Sequence, residues 1–449
     1  MKTAVFFCRS CGNESAKWLG RCPSCQEWNT LVEAPSREPF SSRRLETGSA
    51  AEPLSRWERT PPSGRRSTGI APLDRVLGGG MVPGMGILIG GDPGIGKSTL
   101  LLQAGASIAG PGSAVLYATA EESGEQIALR ARRLGISSDH LLILPENSLD
   151  RILEVAGEMK PGTLILDSVQ TISTSGVDSP AGSTAQVRES ASRLLLFSKE
   201  RGLPLFLIGH VTKDGSLAGP KTLEHLVDTV IYFEGDSSFA HRILRTAKNR
   251  FGPAGEMGVF EMTDRGLSPV ENPSSLFLSQ RRAGAPGSVV FCCLEGTLPV
   301  LVETQALVAG TGTASPRRTA TGFDPGRAAL LLAVLEKRVG LSLSGSDVFL
   351  NVAGGVRISE PAADLPVACA LASSFLNRPA RMDTVVFGEV GLVGEVRAVA
   401  RAGERVREAA RMGVLRCLLP HANLRDLPFE KGVELAGVSS LGEAVESLL

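Results

Sequence analysis

The sequence predicts an α/β protein with a mostly parallel sheet flanked by helices on both faces, and three observations predict it. From Ser67 onward, apolar runs bounded by Gly and Pro alternate with amphipathic stretches, the pattern of strands joined by helical crossovers. At Gly91–Ser98 a glycine-rich loop joins an apolar strand to an apolar helix. Beyond a punctuated segment at 268–287, a second α/β pattern runs from Ser288 to Leu449. A chain of 449 residues exceeds one compact core, since domains hold roughly 100–200 residues each. Two large domains and a small module are expected.

The strand candidates of the first domain are Gly86–Gly90, Ala114–Thr119, Leu141–Leu144, Thr163–Asp167, Pro204–Gly209, Thr229–Phe233 and Arg242–Ala247. Helix candidates are Lys97–Ala109, Gly124–Leu134, Leu149–Met159 and Thr184–Arg201. The last two strands lack a helix between them and suit an antiparallel extension. In the second domain the expected helices are Gly326–Arg338, Pro361–Phe375 and Gly403–Met412. Its expected strands are Ser288–Cys293, Val300–Leu307, Asp347–Val352, Thr384–Phe387 and Arg416–Leu419. The expected division is 1–33, a cysteine module; 34–66, a flexible Pro/Ser/Arg/Glu-rich linker; 67–270, the first α/β domain; and 271–449, the second.

Apolar residues make up 43% and charged residues 21%, an ordinary foldable composition. Lys+Arg and Asp+Glu are equal at 47 each, so any basic face is local. No stretch approaches the roughly 18–20 apolar residues of a membrane span. Residues 1–7 are too short for a signal-peptide core. A cytoplasmic protein without a membrane partner is expected.

Four of the eight cysteines fall in residues 8–25 as Cys8-x-x-Cys11 and Cys22-x-x-Cys25. Each pair places two thiolates on one tight turn, and two turns close a tetrahedron around one ion. Four sulfurs with no open position describe a structural Zn²⁺ site. Trp18 and Trp28 are expected to pack around this knuckle, at least one of them as core; stacking on bases is the alternative. Cys292, Cys293, Cys369 and Cys417 sit among apolar neighbours and read as inert core thiols.

Gly91-Asp92-Pro93-Gly94-Ile95-Gly96-Lys97-Ser98 matches G-x-x-x-x-G-K-[ST], with Thr99 next in the helix that follows. Glycines let backbone N–H groups wrap the phosphates of ATP, and the helix N-terminus adds a favourable dipole. Lys97 would reach the β/γ-phosphates and Ser98 would ligate Mg²⁺. Thr163–Asp167 is an apolar strand ending in Asp, the Walker B arrangement, in which Asp167 supports the Mg²⁺ shell. Glu121 and Glu122 follow another strand, where acidic groups face the ligand crevice of an open α/β sheet. One of them can orient or deprotonate the attacking water, or both serve a helix N-terminus.

These motifs, together with Lys248-Asn249-Arg250-Phe251-Gly252 and the segment Gly209–Asp236 (GHVTKDGSLAGPKTLEHLVDTVIYFEGD), resemble the bacterial RadA-type DNA-repair ATPases, relatives of RecA and DnaB. The resemblance extends over almost the whole chain. It implies a RecA-type core in which Glu121 is the catalytic glutamate and His210 the γ-phosphate sensor. Lys248 and Arg250 would reach a neighbouring subunit's ATP. Residues 172–184 and 211–221, with Lys213 and Lys221, would be the DNA-facing loops.

Residues 276–449 resemble the Lon-type peptidase domain. Ala363 or Asp364 falls at that domain's serine position and Gly403 at its lysine position. Without nucleophile and base no acyl-enzyme forms, so a non-peptidase scaffold is expected. Arg317, Arg318, Arg327, Lys337 and Arg338 are candidates for a phosphate-binding face. The resemblance further implies a homo-hexameric ring on single-stranded DNA and recombination junctions, driving branch migration beside a RecA-type recombinase. The rivals are an ATP-dependent protease, which would need the missing dyad, and a RecA-fold regulator acting through protein partners.

Overall fold

The computed structural model describes residues 6–8, 14–15, 17–23, 26–33, 64–210, 223–235, 241–311, 315–427, 430 and 432–449. Among the described residues, no helix is long and apolar enough to cross a membrane. The chain forms two units. One holds 1–233, 246–252 and 264–266; the other holds 234–245, 253–263 and 267–449.

The first unit opens with a small antiparallel sheet in which β1 (Phe6–Cys8) pairs with β2 (Glu14–Ser15) and β3 (Leu31–Glu33). Its described core is Cys8, Cys22 and Leu31 with Phe6 packed against them. Trp18 and Trp28 are 56% and 70% exposed, so neither is core. That corrects the packing expected for them: a knuckle this small has no interior wide enough for an indole.

The central sheet is parallel. Its six strands run in the order β9 (Thr229–Glu234), β4 (Gly86–Gly91), β8 (Leu205–His210), β7 (Thr163–Asp167), β5 (Val115–Thr119) and β6 (Leu141–Pro145). β4, β5 and β7 are buried at every position. That is why they read as continuous apolar runs: a parallel sheet is covered on both faces. The helices α2 (Lys97–Ile108), α3 (Gly124–Arg133), α4 (Leu149–Met159) and α5 (Thr184–Arg201) connect them, after a short α1 at Ala71–Val76. Local signals set their ends. Ser123 and Gln126 form a capping box on α3. Ser183 caps α5, and Gly202 ends it in the left-handed conformation. Thr229 at the start of β9 donates to Asn249 Oδ1 at the end of β10 (His241–Asn249), 3.1 Å away.

In the second unit, residues His241–Arg245 of β10 pair antiparallel with β11 (Met257–Thr263), and β12 (Gly266–Pro269) follows. A seven-stranded mixed sheet has the order β15 (Arg318–Thr321), β16 (Ser346–Val352), β14 (Leu298–Gly310), β13 (Ser288–Glu295), β17 (Thr384–Val386), β20 (Arg416–Pro420), β21 (Glu434–Val438). After a short α6 (Pro273–Leu278), the expected helix Gly326–Arg338 is α7 (Pro325–Val334), which passes into a π-helical turn at Leu335–Val339. α8 (Asp364–Leu376) is buried along its first ten residues and packs on β13 and β14. β18 (Glu389–Val390) and β19 (Val396–Arg397) form a hairpin, α9 is Ala402–Arg411, and α10 (Leu441–Leu448) ends the chain. The thiols of Cys292, Cys293, Cys369 and Cys417 are buried and free, and burial pushes Cys369 and Cys417 up to about 12, so they are inert.

Candidate functional site

The parallel strands β4, β5, β7 and β8 all end at one edge of the first unit's sheet, where an open α/β fold binds ligand. β4 runs into the loop Gly91–Gly96, which turns into α2. Gly94 has φ +77°, and a Cβ there would meet only open space, so its backbone is free to face a ligand. At Gly91 a Cβ would come within 2.6 Å of the Phe233 carbonyl oxygen, so only glycine fits. Lys97 is 3% exposed, and its ammonium donates to the carbonyls of Gly91 and Asp92 at 2.8 Å each. Burial lowers its pKa to about 8, against the opposing pull of Asp167, Glu121 and Asp92.

Asp167 ends β7 beside this lysine. Its Oδ2 accepts from Tyr117 at 2.6 Å, and Ser98 also hydrogen-bonds to the carboxylate. Burial nevertheless raises its pKa, and Oδ1 is buried with no hydrogen-bond partner. Glu121 Oε1 lies 3.0 Å from His210 Nε2 and accepts from the Ser168 hydroxyl. The His210 contact is the main reason its pKa is lowered. Glu122 turns away into an ion pair with Arg130, so of the two acids only Glu121 faces the loop. Gln170 donates to the His210 carbonyl at 3.1 Å. Tyr117, Ser168 and Gln170 escaped the sequence reading. Ser168 follows the Walker B aspartate directly and Gln170 stands three residues after it, and that proximity was the available signal.

The ligand atoms of Glu121, Asp167 and His210 lie within 4.8 Å of one another. The orphaned Oδ1 of Asp167, beside Ser98, fits the Mg²⁺ that accompanies a nucleotide, because a buried carboxylate oxygen otherwise costs its full desolvation. At the N-terminus, Cys8 and Cys22, one from each CxxC turn, are buried. Cys11 and Cys25 lie outside the described residues. A knuckle with so small a core needs a staple, and four thiolates fit structural zinc.

The other expected site residues are placed elsewhere. Lys248 donates to the carbonyls of Glu224 and Val227 at 2.7 and 2.8 Å. Arg250 lies 3.3 Å from Asp228, whose carboxylate also accepts from the Gly86 N–H at 3.0 Å. Gly86 begins β4 and the phosphate loop follows its end, so Arg250 sits about a strand's length, roughly 17–20 Å, from the phosphate loop of the same chain. Within 172–184, Gln186 donates to the carbonyls of Thr174, Val177 and Ser179 at 2.9–3.2 Å. Lys213 and Lys221 lie outside the described residues.

In the second unit Arg318, Lys337 and Arg338 are exposed. Arg317 is engaged with Asp347 at 2.9 Å, and Arg327 forms a two-pronged pair with Asp364, which is 1% exposed. These two charges are committed within the domain, because each answers a carboxylate with almost no access to water. Ala363 is fully buried.

Residues 6–33 match the rubredoxin metal binding domain family, 51–216 an AAA domain family, and 330–423 the family of subunit ChlI of Mg-chelatase. The DNA repair protein RadA of Halalkalibacterium halodurans is 48% identical, with 100% of this chain and 99% of the relative aligned. That of Aquifex aeolicus is 51% identical over 100% of this chain and 99% of its own length. A crystal structure of the RadB recombinase aligns with 46% of this chain at 24% identity and a TM-score of 0.37, too distant to bear on the fold. The likeness to these relatives runs from end to end at about half of all positions identical, and the chain belongs to the RadA family of DNA repair proteins.

Proposed function

We propose that this chain is a DNA-dependent ATPase of homologous recombination, assembling as a homo-hexameric ring on single-stranded DNA. In this reading it drives branch migration of recombination intermediates beside a RecA-type recombinase. The observation that carries it is the placement of Lys248 and Arg250. They lie at the far end of the sheet from their own phosphate loop, Arg250 paired with Asp228 at the start of β4 and Lys248 held by the Glu224 and Val227 carbonyls. Cations so placed serve ATP only in a neighbouring subunit, where they stabilise charge on the transferring phosphoryl group and make hydrolysis depend on assembly.

Within one subunit the geometry supports the following roles. The backbone of Gly91–Gly96 cradles the phosphates and the Lys97 ammonium leaves its two carbonyls for the β/γ-phosphate oxygens. Ser98 and Asp167 would hold Mg²⁺, which neutralises phosphate charge when bound. Glu121, kept ionised by His210 and Ser168, accepts the proton of the attacking water. His210 leads directly into residues 211–221, so a change at the γ-phosphate reaches the proposed DNA-facing loop through one side chain. The second unit serves as a non-peptidase scaffold, supported by a buried Ala363 and an ion-paired Asp364 at the position of a nucleophile.

The test is ATP turnover with and without single-stranded DNA. The reading expects stimulation by a long single strand and none by a short duplex of equal charge. Turnover indifferent to DNA would favour the regulator reading.

A further inference from the structure

The module at the N-terminus exposes two indoles that its fold has no internal use for. The described core of the module is Cys8, Cys22 and Leu31. Trp18 and Trp28 stand outside it at 56% and 70% exposure. Neither ring hangs loose. The Trp18 N–H donates to the Leu31 carbonyl at 2.9 Å, which satisfies its one polar group. Trp28 pairs with Arg21 across an antiparallel bridge, on the turn where Cys22 N donates to the Glu27 carbonyl at 2.9 Å. The rings flank Gly20: a Cβ there would lie 3.8 Å from Trp18 Cη2 and 3.8 Å from Trp28 Cζ3. The Arg21 guanidinium sits 5.7 Å from the Trp28 ring centroid, held by Gln26. Lys17 is exposed beside Trp18.

We propose that Trp18, Trp28 and Arg21 form a base-stacking platform for single-stranded nucleic acid on the metal-binding module. The proposal rests on the DNA reading above and gives the module its share in it. Exposed rings already fixed in place accept a planar partner without paying to order themselves. The cations decide which partner. An apolar peptide covering both rings would strip water from Arg21 and Lys17 and return nothing. A nucleotide lays its base on an indole and its phosphate beside the cation, satisfying both. Such stacking tolerates every base, as a protein working along any sequence requires.

The experiment uses the full chain with the third tryptophan, Trp57, replaced by Phe, so that emission reports only Trp18 and Trp28. Titration with oligo(dT) is expected to quench that emission. Trp28→Ala should weaken binding by about 5- to 100-fold, the loss for one stacked base, while Trp28→Phe stays within a few-fold. Zinc per chain, measured in each variant, reports whether the module is intact. An abasic strand of equal length, which needs no variant and stacks on neither indole, should bind the parent at least as weakly as oligo(dT) binds Trp28→Ala. If the parent binds oligo(dT) without quenching, and binds the abasic strand equally well, the platform is wrong while DNA binding stands. A parent that binds no single strand removes the DNA reading itself and the platform with it. A Trp28→Ala chain that keeps its DNA affinity but loses a recombinase would make this a protein-docking surface and overturn the proposal.

Discussion

Two buried aspartates, one in each unit, show opposite uses of the same side chain. Asp167 ends β7 at 3% exposure and Asp364 begins α8 at 1%. Both oxygens of Asp364 are answered inside the protein, by Arg327 and by the Val390 N–H at 3.2 Å. Asp167 keeps one oxygen without a partner, next to a lysine whose ammonium donates to carbonyls of its own loop. Buried polar groups are normally satisfied. A cluster left incomplete at the ligand edge of a sheet is therefore a site waiting for charge, and a closed cluster is a structural fastening. The contrast supports the proposal that chemistry sits in the first unit and scaffolding in the second.

The largest expected effect is at the incomplete site. Lys97→Ala should lower ATP turnover at least about 100-fold, on the scale of removing one preorganised charge from a phosphoryl-transfer site. Turnover within a few-fold of the parent would place the chemistry elsewhere. The same change at the closed site should act on stability. Arg327→Ala leaves Asp364 buried and unpaired, at a cost of about 3 kcal/mol, read as a lower denaturation midpoint of the second unit with ATP binding retained. The double variant Arg327→Ala/Asp364→Ala should recover part of that loss. A destabilised ATP site with an unmoved midpoint would reverse the contrast.

A smaller effect is in pH. Lys97 has its pKa lowered to about 8 by burial. Below that pH it is a cation that binds phosphate, and above it the charge is lost, so ATP affinity should fall as pH rises through about 8. Phosphate also pulls the lysine's pKa back up. ATP binding at pH 8–9 should therefore take up protons, visible as a buffer-dependent heat, and Lys97→Ala should abolish that uptake. In the apo protein the sign is the reverse: because the folded pKa lies below the unfolded one, stability should rise with pH between about 8 and 10.5.

The smallest concerns DNA contact by the second unit. Arg318→Ala should flatten the salt dependence of DNA binding by up to about one unit and leave stability nearly unchanged. Arg317 is the poorer probe, because Arg317→Ala also takes from Asp347 a guanidinium that, together with the residue's backbone N–H, holds the carboxyl below the usual carboxylate range. An unchanged slope would move the contact to the loops at 172–184 and 211–221.

Much of the phosphate site was legible because its chemistry depends on spacing along the chain. The loop, Lys97 and Ser98 are consecutive, and Asp167 is announced by the strand it ends. The partners that decide which acid serves are remote in sequence. Glu121 and Glu122 are indistinguishable until Arg130, eight residues on, takes one and His210, eighty-nine residues on, takes the other. For the same reason Arg327 read as a surface cation: its partner Asp364 lies thirty-seven residues away. The major strands were legible from unbroken apolar runs. The edge strands β15 and β21, the hairpin β18–β19 and the terminal α10 were not, because short elements at a sheet's margin or a chain's end carry too few apolar positions to set a period. The indoles misled for a different reason. Trp is usually buried on average, and a module held by metal has little interior to bury it in.

In the proposed function each nucleotide site is completed by a neighbour. The most direct test of this is the ATP turnover, on single-stranded DNA, of mixtures of Lys97→Ala and Arg250→Ala chains, each inactive alone. A mixed assembly contains sites that take Lys97 from one chain and Arg250 from the next, so activity should reappear and peak near an equal ratio. Activity absent at every ratio, with mixed assemblies shown to form, would mean that Arg250 serves its own subunit, and would contradict the account.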